Sequence, residues 1–331
     1  MLTFKEACAL INTPDRETFE LLVEANKICQ KHKGNKIKLC AIVNAKSGRC
    51  SENCNFCAQS AYYKTDIKTY PLLSLEEIVS AAKKSEKNMS ATCFSIVTSG
   101  KATQIETETK TIRKALEAIT TQTNLKRCVS LGTLQKDALT KLKDAGLKRL
   151  HHNLETARSF FNHICTTHTY DERLQTIKFA KEVGLEVCSG GIFGLGETSK
   201  QRVELAFALK ELDVESVPIN ILNPIPGTKA AENYRAMSPL EVLRLIATYR
   251  MILPEKDIGL FGGREISLRD LQPLVFIAGA NVTMVGDYLT TKGQSAQKDL
   301  QMIRDLGLEI EKNPRSPISD KQDKNMCPAG P

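Results

Sequence analysis

An α/β fold closed as a (β/α)8 TIM-type barrel, with an N-terminal helical extension, is what this sequence predicts. Three observations carry the prediction. Eight strand-like runs alternate with helix-like runs along the chain, an order that implies a parallel sheet and, at eight units, a closed barrel. Turn signals such as Asp144-Ala-Gly146 and Glu182-Val-Gly184 end several of the helix-like runs. The first βα turn lacks G-x-G-x-x-G, so the alternative, a doubly wound open sheet, is without its dinucleotide signature. A length of 331 residues is large for one domain but ordinary for an α/β barrel.

Residues 15–33 read as an amphipathic helix, with Phe19, Leu22, Val23, Ala25 and Ile28 on or near one face. Pro14 sits near its start, a position proline favours. Strands follow at 37–44, 91–97, 127–131, 148–153, 185–191, 215–221, 257–262 and 281–285. Helices lie between them at 75–87, 107–121, 135–145, 171–183, 199–211, 238–252 and 267–277, and a last one follows at 296–306. No repeat is visible beyond the βα period itself. The chain divides into a helical segment at 1–35, a barrel at 36–308 and a flexible tail at 309–331. From Glu311 to Pro331 the composition is rich in Lys, Asp, Ser and Pro, as mobile ends are. Cys327 there reads as non-functional.

Composition narrows the class. Apolar residues make up 41% and charged residues 25%, which fits a globular protein in water. No apolar run is long enough to cross a bilayer, so no membrane partner is expected. Met1-Leu-Thr-Phe-Lys-Glu carries charge where a secretory signal needs an apolar core, so a cytoplasmic location is expected. The net charge of +8 raises nucleic acid as a partner. The lysines are scattered along helix-like runs and Trp is absent, so a solvated basic surface is the better reading. Eleven cysteines in such a chain argue for metal ligation over disulfides.

Three of those cysteines, Cys50, Cys54 and Cys57, fall in one loop after the first strand, spaced C-x3-C-x2-C. Thiolates are soft ligands that suit an iron–sulfur cluster or zinc. Structural zinc closes with four ligands, commonly from CxxC pairs, and no second pair follows. Three thiols can hold three irons of a cubane and leave the fourth open to a chelating molecule. Cys93, Cys128 and Cys188 lie on separate strands. Each alone reads as a small buried hydrophobe. Facing one another inside a barrel, they would need a metal to relieve the repulsion of converging thiolates.

C-x3-C-x-Phe-C resembles the cluster loop of the radical S-adenosylmethionine (SAM) superfamily. In that superfamily the open iron of a [4Fe–4S] cluster chelates SAM, and the reduced cluster cleaves it to a 5′-deoxyadenosyl radical. Within the superfamily, residues 15–308 resemble the biotin synthase family. The stretches that carry this are Cys128-Val-Ser-Leu-Gly-Thr-Leu134, His152-Asn-Leu-Glu155, Thr166-Thr-His-Thr-Tyr170 and Val187-Cys-Ser-Gly-Gly-Ile192. Gly194-Leu-Gly-Glu197, Ser216-Val-Pro-Ile-Asn220, Gly262-Gly-Arg-Glu265 and Leu289-Thr-Thr291 match as well.

The resemblance implies a sulfurtransferase that inserts sulfur into dethiobiotin, the last step to biotin. It implies a [4Fe–4S] cluster on Cys50, Cys54 and Cys57, SAM, and an auxiliary iron–sulfur cluster on Cys93, Cys128 and Cys188 that gives up the sulfur. It also implies a flavodoxin or ferredoxin-type electron donor and a homodimer. Residue by residue, it assigns Phe56 and Ile192 to the adenine, Asn153 and Glu155 to the ribose, and Arg173 to the SAM carboxylate. His151, Asn153 and Asn220 fall to the substrate, with Thr290 and Thr291 on its carboxylate tail. No side chain is assigned as acid or base; clusters and SAM carry the chemistry.

Two positions depart from the family. Many members use an arginine of the seventh strand as fourth ligand of a [2Fe–2S] auxiliary cluster; here that position is Gly259, which cannot ligate. The auxiliary cluster is then expected to be [2Fe–2S] or a larger, cubane-like variant, held by three cysteines with an exchangeable iron. His151 stands where asparagine is common, and its parity with Asn153 aims it at the substrate or the cluster. Cys8, Cys29, Cys40 and Cys165 read as packing residues, and His152, His163 and His168 as structural. The alternatives are another radical SAM barrel, of the hydrogenase-maturation or methylornithine-forming type, and a non-catalytic iron–sulfur redox sensor.

Overall fold

The computed structural model describes residues 2–102, 106–232 and 234–313. Its centre is a ring of parallel strands. In chain order these are β1 (Lys36–Lys46), β2 (Cys93–Thr98), β3 (Lys126–Ser130), β4 (Arg149–His151) and β5 (Glu186–Cys188). They continue as β6 (Gly191–Phe193), β7 (Ser216–Ile221), β8 (Asp257–Leu260) and β9 (Val282–Met284). β1 pairs with β2 on one side and with β9 on the other, so the ring of β1 to β9 closes on itself. The barrel is the eight-stave TIM type, with β5 and β6 as two halves of one stave.

That split has a local cause. β5 meets β7 at Cys188↔Ser216, and β6 resumes the same register at Gly191↔Ile219. Gly190 and Pro218 face each other across the gap, and proline has no N–H to give the ladder. A Cβ on Gly190 would lie 1.9 Å from the Pro218 carbonyl oxygen, so only glycine lets the chains approach.

Helices Leu75–Met89, Glu106–Gln122, Lys136–Asp144, Tyr170–Glu182, Ser199–Glu211, Pro239–Ile252 and Ala296–Asp305 surround the staves. Ser74/Glu77, Thr169/Glu172, Thr198/Gln201 and Ser238/Glu241 form reciprocal capping boxes that fix where four of them start.

The structure corrects three expectations and adds one helix. The segment 267–277 is not one helix: Arg264–Leu268, a 3-10 turn at Arg269–Leu271 and Leu274–Ile277 replace it. Arg269 takes φ +51°, and Pro273 cannot supply an N–H to a continuous helix. In the helix Thr18–Lys33 the buried stripe is Thr18, Leu21, Leu22, Ala25 and Cys29, while Phe19 and Val23 are exposed. A further helix, Phe4–Ile11, precedes it and is started by a Thr3/Glu6 capping box. At the head of the expected tail, β10 (Glu309–Ile310) pairs with β1, and Asn313 donates to the Thr92 and Asn124 carbonyls. The rest of that tail, with Cys327, lies outside the described residues.

Strand parity separates two environments. Phe94, Ile96, Val129, Leu150 and Val187 point out into the core shared with the helices. Their neighbours Cys93, Ser95, Cys128, Arg149, His151 and Cys188 point in. A small inner cluster of Phe261, Val282 and Met284, with Cys40, Ile42 and Tyr288 against it, fills part of the interior.

Candidate active site

The inward faces enclose a cavity of about 430 Å³ that opens at the C-terminal ends of the strands. Every site residue singled out from the sequence lines it. Cys50, Cys54, Phe56 and Cys57 come from the loop after β1, and Cys93, Cys128 and Cys188 from β2, β3 and β5. His151, Asn153, Glu155, Arg173, Ile192, Asn220, Thr290 and Thr291 complete the set.

The cysteine loop is held in place by its own backbone and by the segment 163–168. The Cys50 N–H donates to Gln59 O at 2.9 Å, Ala61 N–H to Cys50 O at 2.8 Å, and Cys57 N–H to Cys54 O at 3.0 Å. Gly48 takes φ +79°, and a Cβ there would collide with Thr69. Asn55 N–H donates to Ile164 O at 2.8 Å, and Asn53 Oδ1 accepts from the Thr166 N–H at 2.9 Å. The three loop thiols are free, and burial pushes Cys57 up to about 11.

A chain of polar contacts runs from this loop to β4. Glu52 Oε2 lies 2.5 Å from His168 Nδ1. His168 Nε2 accepts from Arg173 Nε at 3.0 Å, so the proton sits on Nδ1. Arg173 donates to Asn153 O at 2.9 Å and lies 3.4 Å from Glu155 Oε1. Asn153 Nδ2 reaches Glu155 Oε2 at 3.2 Å, and its Oδ1 accepts from the Gly190 N–H at 3.1 Å. Burial raises the Glu155 carboxyl, and Arg173 only partly offsets it. Cys165, read as packing, touches this network: its Sγ is 3.3 Å from His168 Nδ1, and Cys54, Cys165 and His168 converge as a possible ligand group. His168 is thus a link in the site as well as a structural residue. Its partner Glu52 is 116 residues away, which no local spacing reveals.

Deeper in the barrel, Cys93 stands opposite Cys40 in register, and interaction with the neighbouring thiols Cys128 and Cys40 holds its thiol well below the usual range. Contact with Cys93, then burial, pushes Cys40 and Cys128 up; burial pushes Cys188 up to about 11. His151 Nδ1 is 3.4 Å from Cys188 Sγ, and burial lowers His151 to about 4, so it is neutral at physiological pH. Arg149, which sequence reasoning passed over, lies among these thiols and is anchored by Glu186 at 2.9 Å.

The donor sets fit soft iron. One group offers three free thiols on a loop, the other an array of free buried thiols with a basic counter-charge. The Ser95 hydroxyl, paired in register with Cys128, is buried with no hydrogen-bond partner among the described residues. It is a donor free to meet a sulfide. Asn220 bridges two backbones, donating to Gly191 O at 3.2 Å and accepting from the Gly262 N–H at 2.9 Å, and it keeps a second N–H for the cavity.

Barrel and thiol loop together define a radical SAM protein, and residues 45–209 match the sequence model of the radical SAM superfamily. Residues 218–309 match the biotin and thiamin synthesis associated domain. The biotin synthase of Geotalea uraniireducens (strain Rf4) is 50% identical over 307 residues, 93% of each chain. That of Pelotomaculum thermopropionicum is 50% identical over 309 residues, 93% of this chain and 95% of the relative. Among solved structures, a methylornithine synthase superposes with a TM-score of 0.82 at 19% identity, covering 98% of this chain and 96% of that one. The FeFe-hydrogenase maturase of Carboxydothermus hydrogenoformans gives 0.79 at 18% identity, covering 97% and 78%. These two likenesses speak to the fold alone. The chain belongs to the biotin synthase family of radical SAM enzymes, sulfurtransferases that work with a [4Fe–4S] cluster, SAM and an auxiliary iron–sulfur cluster.

Proposed function

We propose that this cavity inserts sulfur into dethiobiotin to form biotin. One observation carries the reading: two separate groups of free thiols open onto the same enclosed space. When bound, the [4Fe–4S] cluster with SAM supplies a carbon-centred oxidant, and the auxiliary cluster supplies sulfide. The protein's part is to hold, orient and keep dry. Cys50, Cys54 and Cys57 hold the first cluster, and Cys93, Cys128 and Cys188 hold the auxiliary one.

Arg173 takes the SAM carboxylate, because His168 and the Asn153 carbonyl already fix its planar fork. Asn153 and Glu155 take the ribose hydroxyls, and Phe56 and Ile192 flank the adenine. The spare N–H of Asn220 suits a ureido oxygen, with His151 and Asn153 completing that pocket. Thr290 and Thr291, at the mouth, suit the carboxylate tail. An apolar wall of Ile42, Val97 and Phe261 excludes water from the radical. The electron comes from a flavodoxin or ferredoxin-type donor, and the enzyme works as a cytoplasmic homodimer. No helix among the described residues is long and apolar enough to cross a membrane.

Anaerobic, reduced protein given SAM tests the reading. Release of 5′-deoxyadenosine that rises when dethiobiotin is added supports it. Release indifferent to dethiobiotin would point to another radical SAM reaction. No release from protein with intact clusters would point to a redox sensor.

A further inference from the structure

The residues on either side of Cys54 are bonded to the residues on either side of Cys165. Asn55 N–H donates to the Ile164 carbonyl at 2.8 Å, and Thr166 N–H to Asn53 Oδ1 at 2.9 Å. The Asn53 side chain donates to Thr166 Oγ1 at 2.7 Å, and its backbone N–H to Thr167 Oγ1 at 3.1 Å. The cysteine loop and the segment that leads into the helix Tyr170–Glu182 are clamped together, with one cysteine in the middle of each side. Between the clamps, Cys54 Sγ, Cys165 Sγ and a ring nitrogen of His168 lie within 4.8 Å of one another; Cys50 and Cys57 stand outside this group.

Both thiols are free and less than a tenth exposed, but they differ in access. Cys54 lines the cavity, whereas Cys165 does not. The Cys165 thiol keeps polar company instead: its Sγ is 3.4 Å from Asn53 Oδ1 and 3.3 Å from His168 Nδ1. A small oxidant that enters by the mouth therefore meets Cys54 first and finds Cys165 behind it. A disulfide sets its sulfurs about 2.05 Å apart, so at most about 3 Å of side-chain and loop movement joins these two.

We infer that Cys165 is a resolving cysteine for Cys54: when oxidation strips iron from the loop, the two join as a reversible disulfide that spares Cys54 from irreversible oxidation. The step consumes one equivalent of a peroxide. The Cys54 sulfur attacks one peroxide oxygen, the O–O bond breaks, and Cys54 sulfenic acid and water form. The Cys165 sulfur then displaces the sulfenic oxygen, which leaves as a second water with the thiol proton. Two thiols give up two electrons, and hydrogen peroxide becomes two waters. In a reducing compartment such a bond is transient, because a thiol reductant reverses it. Its consequence rests on the reading that Cys50, Cys54 and Cys57 hold the first cluster: with Cys54 tied to Cys165 the loop takes no iron, and after reduction it does.

The test starts from anaerobic holoenzyme whose loop cluster is stripped with a chelator. Hydrogen peroxide is added, free thiols are alkylated, and peptides are mapped by mass spectrometry without reduction. A peptide linking Cys54 to Cys165 is expected. Dithiothreitol should release it and, with iron and sulfide added, restore the SAM-perturbed signal of the loop cluster. In Cys165→Ala, Cys54 is expected as sulfinic or sulfonic acid, and that signal should stay lost after dithiothreitol. Should Cys165→Ala fail to fold, Cys165→Ser keeps a polar group at the site and decides in its place. Cys54 linked to Cys50 or Cys57 instead, or Cys54 oxidised beyond recovery as much in wild type as in Cys165→Ser, overturns the inference. Cys54→Ala separates it from the reading beneath. If Cys54→Ala loses the SAM-perturbed signal while wild type forms no linked peptide, only the pairing fails. If the linked peptide forms while Cys54→Ala keeps that signal, the pairing stands and the ligand assignment fails.

Discussion

Putting a side chain back at position 259 should damage the barrel, not restore an arginine ligand. The Cβ of a Gly259→Ala variant would start 2.3 Å from the Val282 oxygen, where ordinary contact begins at 3.4 Å. More than an ångström of overlap falls on backbone, which cannot rotate away. β8 cannot retreat either, because Gly259 is paired with Pro218 on one side and Val282 on the other. Overpacking of this kind costs about 1–3 kcal/mol. With a urea m-value of about 3 kcal/mol/M, a cost of 2 kcal/mol lowers the unfolding midpoint by roughly 0.7 M. Gly259→Arg adds a buried, unpaired charge, which costs several kcal/mol more. Urea unfolding of the metal-free proteins, followed by circular dichroism, measures both variants. A Gly259→Ala midpoint equal to wild type would refute the steric argument.

Arg173→Lys keeps the charge but loses the fork that meets His168 and Asn153. SAM affinity should fall about tenfold, equivalent to ~1.4 kcal/mol, by equilibrium binding to the reconstituted enzyme. His168→Ala removes the link between Glu52 and Arg173, so a chelator should strip iron from the Cys50–Cys57 loop about 10–100 times faster, read by loss of cluster absorbance. Asp257 is buried, which alone would raise it, but Lys38 at 2.7 Å and Lys33 at 3.1 Å outweigh burial and hold its carboxyl well below the usual range. Its stabilising effect is therefore complete above the unfolded carboxyl value of about 3.9 and is lost as pH falls through the depressed folded value. Asp257→Asn should cost about 3–5 kcal/mol at pH 7 and flatten the acid limb of the stability curve in urea titrations from neutral pH down.

Much of this site was legible because cluster chemistry writes itself into spacing. Three thiols within eight residues need no fold to be recognised. Cys93, Cys128 and Cys188 were legible through family resemblance, and strand parity then explains why they face inward. Cys40 was not legible, because a cysteine in an apolar strand reads as a hydrophobe. Only the register Cys40↔Cys93 reveals its neighbours. The Glu52–His168–Arg173 chain was hidden for the same reason: the loop and the helix meet only after the barrel has closed. The Phe4–Ile11 helix could have been found, since its Thr3/Glu6 box is a sequence signature. The exposure of Phe19 and Val23 could not be found by period alone, because the helix buries its Leu21–Leu22 stripe instead.

The most direct test of the account follows one sulfur atom. Protein whose auxiliary centre is rebuilt with heavy-isotope sulfide would be reduced anaerobically with SAM and dethiobiotin, and the biotin weighed by mass spectrometry. Heavy sulfur in the product is predicted for the wild type, with no biotin from Cys128→Ala. Light sulfur, or product undiminished when Cys128 is gone, would contradict the claim that radical and sulfur meet in this cavity.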